Sequence, residues 1–174
     1  MLGETWEDQY KRLQRQYALL EKAADANTDY NELLHDRLHA RDHLFHFCCD
    51  AFYLREWIEK SSLAQPIRDD LPRLLNTNGT GTSAAISACA DIANGSKHFG
   101  LTGRSYTTGT NTGHAQIVDH VQGVRLPAQF PFHFGANHFK IDVRGVVRDG
   151  LDLARDAVAD WDAWLASHGV PLPT

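Results

Sequence analysis

Phe45-His46-Phe47-Cys48-Cys49-Asp50-Ala51-Phe52-Tyr53-Leu54-Arg55-Glu56-Trp57-Ile58 is apolar on nearly every side of a helical wheel. A helix lying on a surface keeps one polar face, so this stretch reads as a helix with others packed around it. No Gly or Pro interrupts the chain between Asn27-Thr28-Asp29, whose side chains suit an N-cap, and Pro66. The expected helix therefore spans about 29–60, and at 1.5 Å per residue it is roughly 45 to 50 Å long. It is the expected centre of the fold.

On its N-terminal side, Trp6, Tyr10, Leu13, Tyr17 and Leu20 recur at the spacing of one helical stripe, with Lys11, Arg12, Arg15 and Lys22 outside it. This predicts an amphipathic helix over 5–25. On the C-terminal side, Pro66 and Pro72 bracket a short helix over 66–75, and Asn76-Thr77-Asn78-Gly79-Thr80-Gly81-Thr82 reads as a flexible polar loop. Ser83 then caps a helix over 83–98 whose Ala84, Ala85, Ile86, Ala88, Cys89, Ile92 and Ala93 permit close approach to a neighbour, with Gly100 as terminator.

Between 103 and 147 the pattern changes. Gly and Thr dominate 107–113, Phe130, Phe132 and Phe134 alternate with other residues, and Phe139, Ile141 and Val143 alternate with His138, Lys140, Asp142 and Arg144. Period-two alternation marks strands, and Gly135-Ala136-Asn137 reads as the hairpin turn. Asp149 caps a last helix over 150–167, with Leu151, Ala154, Val158, Trp161 and Leu165 on one stripe. The fold expected is α+β, mainly α: a helical bundle around one long central helix, with a small antiparallel sheet inserted before the last helix, in a single domain over 1–174.

The 174 residues are 43% hydrophobic and 22% charged, an ordinary globular composition that excludes disordered and fibrous classes. No run approaches the roughly 18 apolar residues of a membrane span, and the acidic start Glu4-Thr5-Trp6-Glu7-Asp8 is unlike a secretory signal, so a cytoplasmic protein is expected. Cys48, Cys49 and Cys89 form neither a disulfide framework nor a zinc pattern and read as small core residues. A net charge of −5 argues against general polyanion binding, although a local basic patch, and with it RNA, stays open.

Two constellations carry chemistry. His35, His39, His43, His46 and Asp50 fall at about 0°, 40°, 80°, 20° and 60° on the wheel, and Tyr53 and Trp57 continue that face. Imidazoles four residues apart suit a divalent metal, so His35, His39 and His43 are candidate ligands, and Glu32-Leu33-Leu34-His35 is half of a di-iron carboxylate pattern. The other half is missing. The second constellation is Cys89-Ala90-Asp91-Ile92-Ala93-Asn94-Gly95-Ser96-Lys97-His98, where Asp91, Asn94 and His98 share a face beside Lys97. Asn and Gly are poor helix-interior residues, less favourable than Ala by roughly 0.7 to 1 kcal/mol each. Either the helix is ending there or a ligand requires them.

If the two helices are neighbours, His43, His46 and Asp50 converge with Asp91, Asn94 and His98 on one polar pocket. A catalytic reading makes His46 or His98 the general acid/base, Asp50 or Asp91 its orienting carboxylate, and Lys97 the group that holds an anionic substrate, with Asn94, His43, Tyr53 and Trp57 lining the pocket. The alternative makes the same residues an internal hydrogen-bonded network in a module that binds a protein partner or small ligand, and leaves a homodimer open. The second reading is preferred on the sequence. No nucleotide or other organic cofactor is expected, since no P-loop, G-x-G-x-x-G, G-x-S-x-G or H-E-x-x-H motif occurs.

The stretch His46 through Ile58, together with Cys89 through His98, resembles a family of uncharacterised bacterial and phage-encoded proteins of similar length. They share an aromatic-x-Leu-x-[Asp/Glu]-Trp-Ile segment and a Cys-x-Asp-x-Ala-Asn-Gly-Ser-Lys-His segment; Phe52 here stands where Trp is frequent in that family. The resemblance covers most of the chain and implies no activity. Arg41-Asp42-His43-Leu44-Phe45-His46, and the span from Arg37 to His43, resemble the Arg-x4–6-His motif of HEPN-type helical ribonucleases, which implies RNA cleavage. In that class the motif sits in a later helix than it does here.

Overall fold

The computed structural model describes residues 3–25, 40–97, 103–123 and 136–174. Within them the chain is a mixed α/β protein with five helices and one three-stranded antiparallel sheet.

Helix α1 (Trp6–Ala24) starts where the Thr5 amide donates to Asp8 Oδ2 at 2.9 Å, which holds the first turn closed. Its expected stripe is buried at Trp6, Tyr10, Leu13 and Leu20. Tyr17 is half-buried against Phe47, with ring centroids 6.3 Å apart. Helix α2 (Ala40–Glu59) contains the apolar stretch, and Leu44, Phe47, Cys48, Ala51, Leu54 and Ile58 are all buried. It packs chiefly on α1 and on the helix Ala84–Lys97, and touches the two remaining helices as well, which accounts for apolar residues on so many of its sides. The expected first third of this helix, from about residue 29, lies outside the described residues.

Helix α3 (Gln65–Leu74) has Pro66 in its first turn, where a missing amide costs nothing, but Pro72 lies inside it rather than bounding it. The segment after it is not the loose loop its composition suggests. Asn76 Oδ1 accepts from the amides of Asn78 and Thr80 at 3.1 and 3.2 Å, and Thr82 and Ser83 donate to the carbonyls of Arg73 and Leu74. Asn side chains that bond their own backbone two or more residues on close turns in this way. Ser83 Oγ accepts the Ile86 amide at 3.0 Å and donates to Asp160 at 2.5 Å, so one hydroxyl caps helix α4 (Ala84–Lys97) and ties it to the last helix. Ala85, Ile86, Ala88, Cys89, Ala90, Ile92 and Ala93 are buried.

Strands β1 (Gln116–Gly123), β2 (Ala136–Val143) and β3 (Val146–Asp149) pair in that order. The alternation read from the sequence holds in β2, which buries Asn137, Phe139, Ile141 and Val143 and turns His138, Lys140 and Asp142 outward. The hairpin turn is elsewhere. Ala136 and Asn137 are the first residues of β2, and the chain reverses at Arg144 and Gly145, whose φ angles of 56° and 79° are those of a two-residue turn between twisted strands. The alternating Phe130, Phe132 and Phe134 lie outside the described residues. Asp149 caps α5 (Gly150–Ser167) as expected, accepting from the amides of Leu151 and Asp152.

Two glycine-bearing loops meet at contact distance. A Cβ built on Gly109, where φ is 72°, falls 2.1 Å from the Asn78 carbonyl oxygen, and one on Gly79 falls 2.5 Å from the Gly109 nitrogen. Backbone cannot yield cheaply at that separation. Gly109→Ala is expected to destabilise the protein by about 3 kcal/mol in urea unfolding, combining the left-handed conformation with the clash. Gly145→Ala has a φ of 79° but nothing within 4 Å of its Cβ, and is expected to cost only about 1 to 2 kcal/mol.

Candidate functional site

The outward face of α2 runs along α1. Gln9 of α1, 2% exposed, donates from Nε2 to Asp50 Oδ1 at 2.9 Å and to the Asp50 carbonyl at 3.3 Å. Arg12 donates to Gln9 Oε1 at 3.2 Å, is ion-paired with Glu4, and holds its guanidinium 5.9 Å from the centroid of the Trp57 ring. A chain of contacts therefore links Asp50 to Trp57 through α1. His46 is exposed on the same face, while His43 and Tyr53 are half-buried.

Burial pushes the Asp50 carboxyl above its ordinary value, against the lowering effects of the Gln9 hydrogen bond and of Arg12, His46 and Arg15. A carboxyl that ionises less readily folded than unfolded makes its charge a cost at neutral pH. That cost is relieved as the pH falls from the folded value through the ordinary one. Asp50→Asn keeps an acceptor for Gln9 and removes the charge, so at pH 7 the melting temperature is expected to stay level or rise by no more than about 2 °C. Below the ordinary carboxylate range the difference disappears, which a pair of melting curves at the two pH values checks.

At the far end of this face lies a cavity of about 580 Å³, walled by Trp6 and Trp57 and bordered by Glu4, Glu7, Glu56 and Lys60. It opens where α1 begins and α2 ends. Trp6 is 6% exposed and Trp57 half-buried, so the two tryptophans line a recess and are not a surface patch. Of these residues only Trp57 stood out in the sequence; the cavity depends on which ends of two helices meet, and periodicity within each helix carries no information on that.

Asp91, on α4, occupies a different setting. It is 1% exposed, and it accepts from Ser105 Oγ at 2.6 Å and from the amides of Tyr106, Thr107 and Ala115 at 2.7, 3.3 and 3.0 Å. Both carboxylate oxygens are thus engaged by the Gly/Thr-rich segment, which folds back over α4. Tyr106 packs edge-on to Phe52 at 5.1 Å, and its hydroxyl is pushed toward higher pKa by burial while Arg55 of α2 opposes the shift. Asn94 is half-buried, three residues beyond Asp91. Lys97 ends α4, and His98, like His35 and His39, lies outside the described residues.

Asp50 and Asp91, the carboxylates of the two constellations, are held by different partners. The Cys48 thiol meets Cys89 of α4, a contact that together with burial pushes its pKa well up, so the Cys48 side of α2 faces α4. Asp50, two residues on, is roughly 200° around the helix, and it faces Gln9 of α1. The structure therefore brings His46 and Asp50 to the α1 side and holds Asp91 on the other, with core between them. None of the three cysteines is in a disulfide.

Other polar groups are clasps within the fold. His120 stacks on Phe139 at 4.4 Å and bonds Asn137 Oδ1 at 2.8 Å, while Asn137 Nδ2 donates to the Ala23 carbonyl at 3.2 Å, fixing the sheet to the end of α1. Arg41 lies over the Phe45 ring at 5.4 Å. Among the described residues, no group of three or more His, Cys, Asp or Glu is placed to hold a metal, and no helix is long and apolar enough to cross a membrane. No protein family, curated protein or solved structure matches the chain.

Proposed function

We propose that this protein works by binding, through the cavity between Trp6 and Trp57, and that its buried carboxylates serve the fold. The observation that carries this reading is the saturation of Asp91: four donors take both oxygens of a 1% exposed group. A general acid or base must exchange a proton with a bound substrate, and a carboxylate so occupied gives up several hydrogen bonds to do so. The indole-walled cavity, by contrast, has the concave, partly apolar form of a small-ligand site. In the same reading the helices form a bundle around the helix that includes Ala40–Glu59, and the protein acts in the cytoplasm.

A second reading has support from one feature. His46 is exposed beside Asp50, with Arg12 and Arg15 in electrostatic range of that carboxylate, an arrangement that suits phosphodiester cleavage of the kind the HEPN resemblance implies. The two readings separate in an RNA-cleavage assay. The binding reading expects the purified protein and its His46→Ala variant to leave single-stranded RNA equally intact. Cleavage by the parent that His46→Ala abolishes, with an unchanged melting curve, replaces it with the catalytic one.

A further inference from the structure

We propose that the cavity between Trp6 and Trp57 takes an organic cation, an alkylammonium or guanidinium group carried on an aliphatic chain. This inference rests on the reading of that cavity as the binding site and adds the class of its ligand. It is lined by two tryptophans, Trp6, which is 6% exposed, and Trp57, which already has the Arg12 guanidinium 5.9 Å from its ring; indole is the aromatic ring with the strongest attraction for a cation. Its border holds three carboxylates, Glu4, Glu7 and Glu56; Glu4 is paired with Arg12, which leaves two against the ammonium of Lys60.

Two further observations point the same way. The protein's own Arg12 guanidinium already rests 5.9 Å from the Trp57 centroid and pairs with Glu4, so one side of the indole, with one carboxylate, accommodates a cation within the fold itself. Glu7 and Glu56 remain on the border of the cavity as carboxylates for a second, external one. The cavity also receives the C-terminal end of α2, where Lys60, Ser61 and Ser62 follow Glu59. The Ile58 carbonyl accepts from Ser61 and the Glu59 carbonyl from Arg68, which takes up part of the partial negative charge that the last carbonyls of a helix carry; the remainder favours a cation there. The first turn of α1 opposes this, but it carries Glu7 and Asp8, which offset its positive end. A volume of about 580 Å³ admits a short aliphatic chain along the indoles.

The test is a titration of the full-length protein at low ionic strength, following the indole N–H resonances of Trp6 and Trp57. Three probes of matched length are used: cadaverine, pentan-1-ol and glutarate. Cadaverine is expected to shift both indole signals saturably and with an affinity that falls as salt is added, while pentan-1-ol and glutarate leave them nearly unmoved. Glu56→Gln is expected to weaken cadaverine about five-fold and Lys60→Gln to strengthen it, with melting curves that overlay the parent. Equal or better saturation by pentan-1-ol or glutarate overturns the cation assignment and leaves the cavity as a binding site for another class. An absence of saturable shifts with cadaverine, or an unaltered affinity in Glu56→Gln, also overturns it. Whether the cavity binds at all is then decided by an unbiased fragment map.

Discussion

Asp91→Ala is expected to lower the melting temperature by about 8 to 16 °C, corresponding to about 4 kcal/mol in a chain of this length. The substitution removes the acceptor for Ser105 Oγ and for the amides of Tyr106, Thr107 and Ala115. Ser105 still bonds the Thr107 and Thr108 amides at 3.0 Å, so the loss falls mainly on Tyr106 and Ala115. A buried amide left without a partner costs about 1 to 3 kcal/mol. Relief from desolving a carboxylate offsets part of that, and the release of the Gly/Thr segment from α4 adds to it. Asp91→Asn keeps the volume but points an amide NH2 at backbone donors, and is expected to lose about half as much. Thermal melting of both variants checks the order. An Asp91→Asn protein that melts with the parent contradicts the structural role assigned to this carboxylate.

Trp161→Ala is expected to cost about 3 to 5 kcal/mol, the range for truncating a large aromatic in a core. Trp161 is fully buried, its Nε1 donates to the Ala51 carbonyl at 3.1 Å, and its ring meets Trp164 edge-on at 5.9 Å. It thus joins α5 to α2 at a point where side chains of both helices are shielded from water. Trp161→Phe keeps most of the apolar volume and loses the hydrogen bond, so its expected cost is about 1 to 2 kcal/mol. Urea unfolding of the pair separates the two contributions, since both variants expose similar surface and should share a slope.

The helical frame was legible because its signals are local. Asp149 caps α5 where a short polar residue precedes an apolar periodic run, and the buried face of α1 at Trp6, Tyr10, Leu13 and Leu20 follows the three-and-four spacing. The sheet was only partly legible. β2 alternates cleanly, but β1 has the sequence Gln116-Ile117-Val118-Asp119-His120-Val121-Gln122-Gly123 and is mostly exposed, with a register shift between Ile117 and Asp119. A bulged strand with little burial loses the period-two signal. The turn at Arg144-Gly145 is hard to read because Arg is an uncommon residue at a positive φ and no Asn or Asp occupies either turn position, although Asp142 accepts the Gly145 amide at 2.7 Å.

The site was less legible still, for a physical reason. Whether a polar residue in a helix is catalytic or structural depends on what reaches it from elsewhere in the chain. The partners of Asp91 lie 14 to 24 residues away and the Gln9 that holds Asp50 lies 41 away. One signal was present: Asp91 sits within a helix of small apolar residues, and Ser105-Tyr106-Thr107-Thr108 brings hydroxyls and amides in need of an acceptor. The indole cavity left no comparable trace. Trp6 reads as part of a packing stripe, and it does pack; that its remaining edge forms a wall with Trp57 follows only from the meeting of α1 and α2.

The most direct test of binding through that cavity is a fragment screen on the full-length protein, mapped by backbone and indole amide shifts. Binding at the Trp6–Trp57 cavity predicts that saturable shifts concentrate on the two indoles and on the amides of Lys60, Ser61 and Ser62. Saturable shifts confined to the His46 and Asp50 region or to the segment after Gly103, with both indoles unmoved, would contradict it.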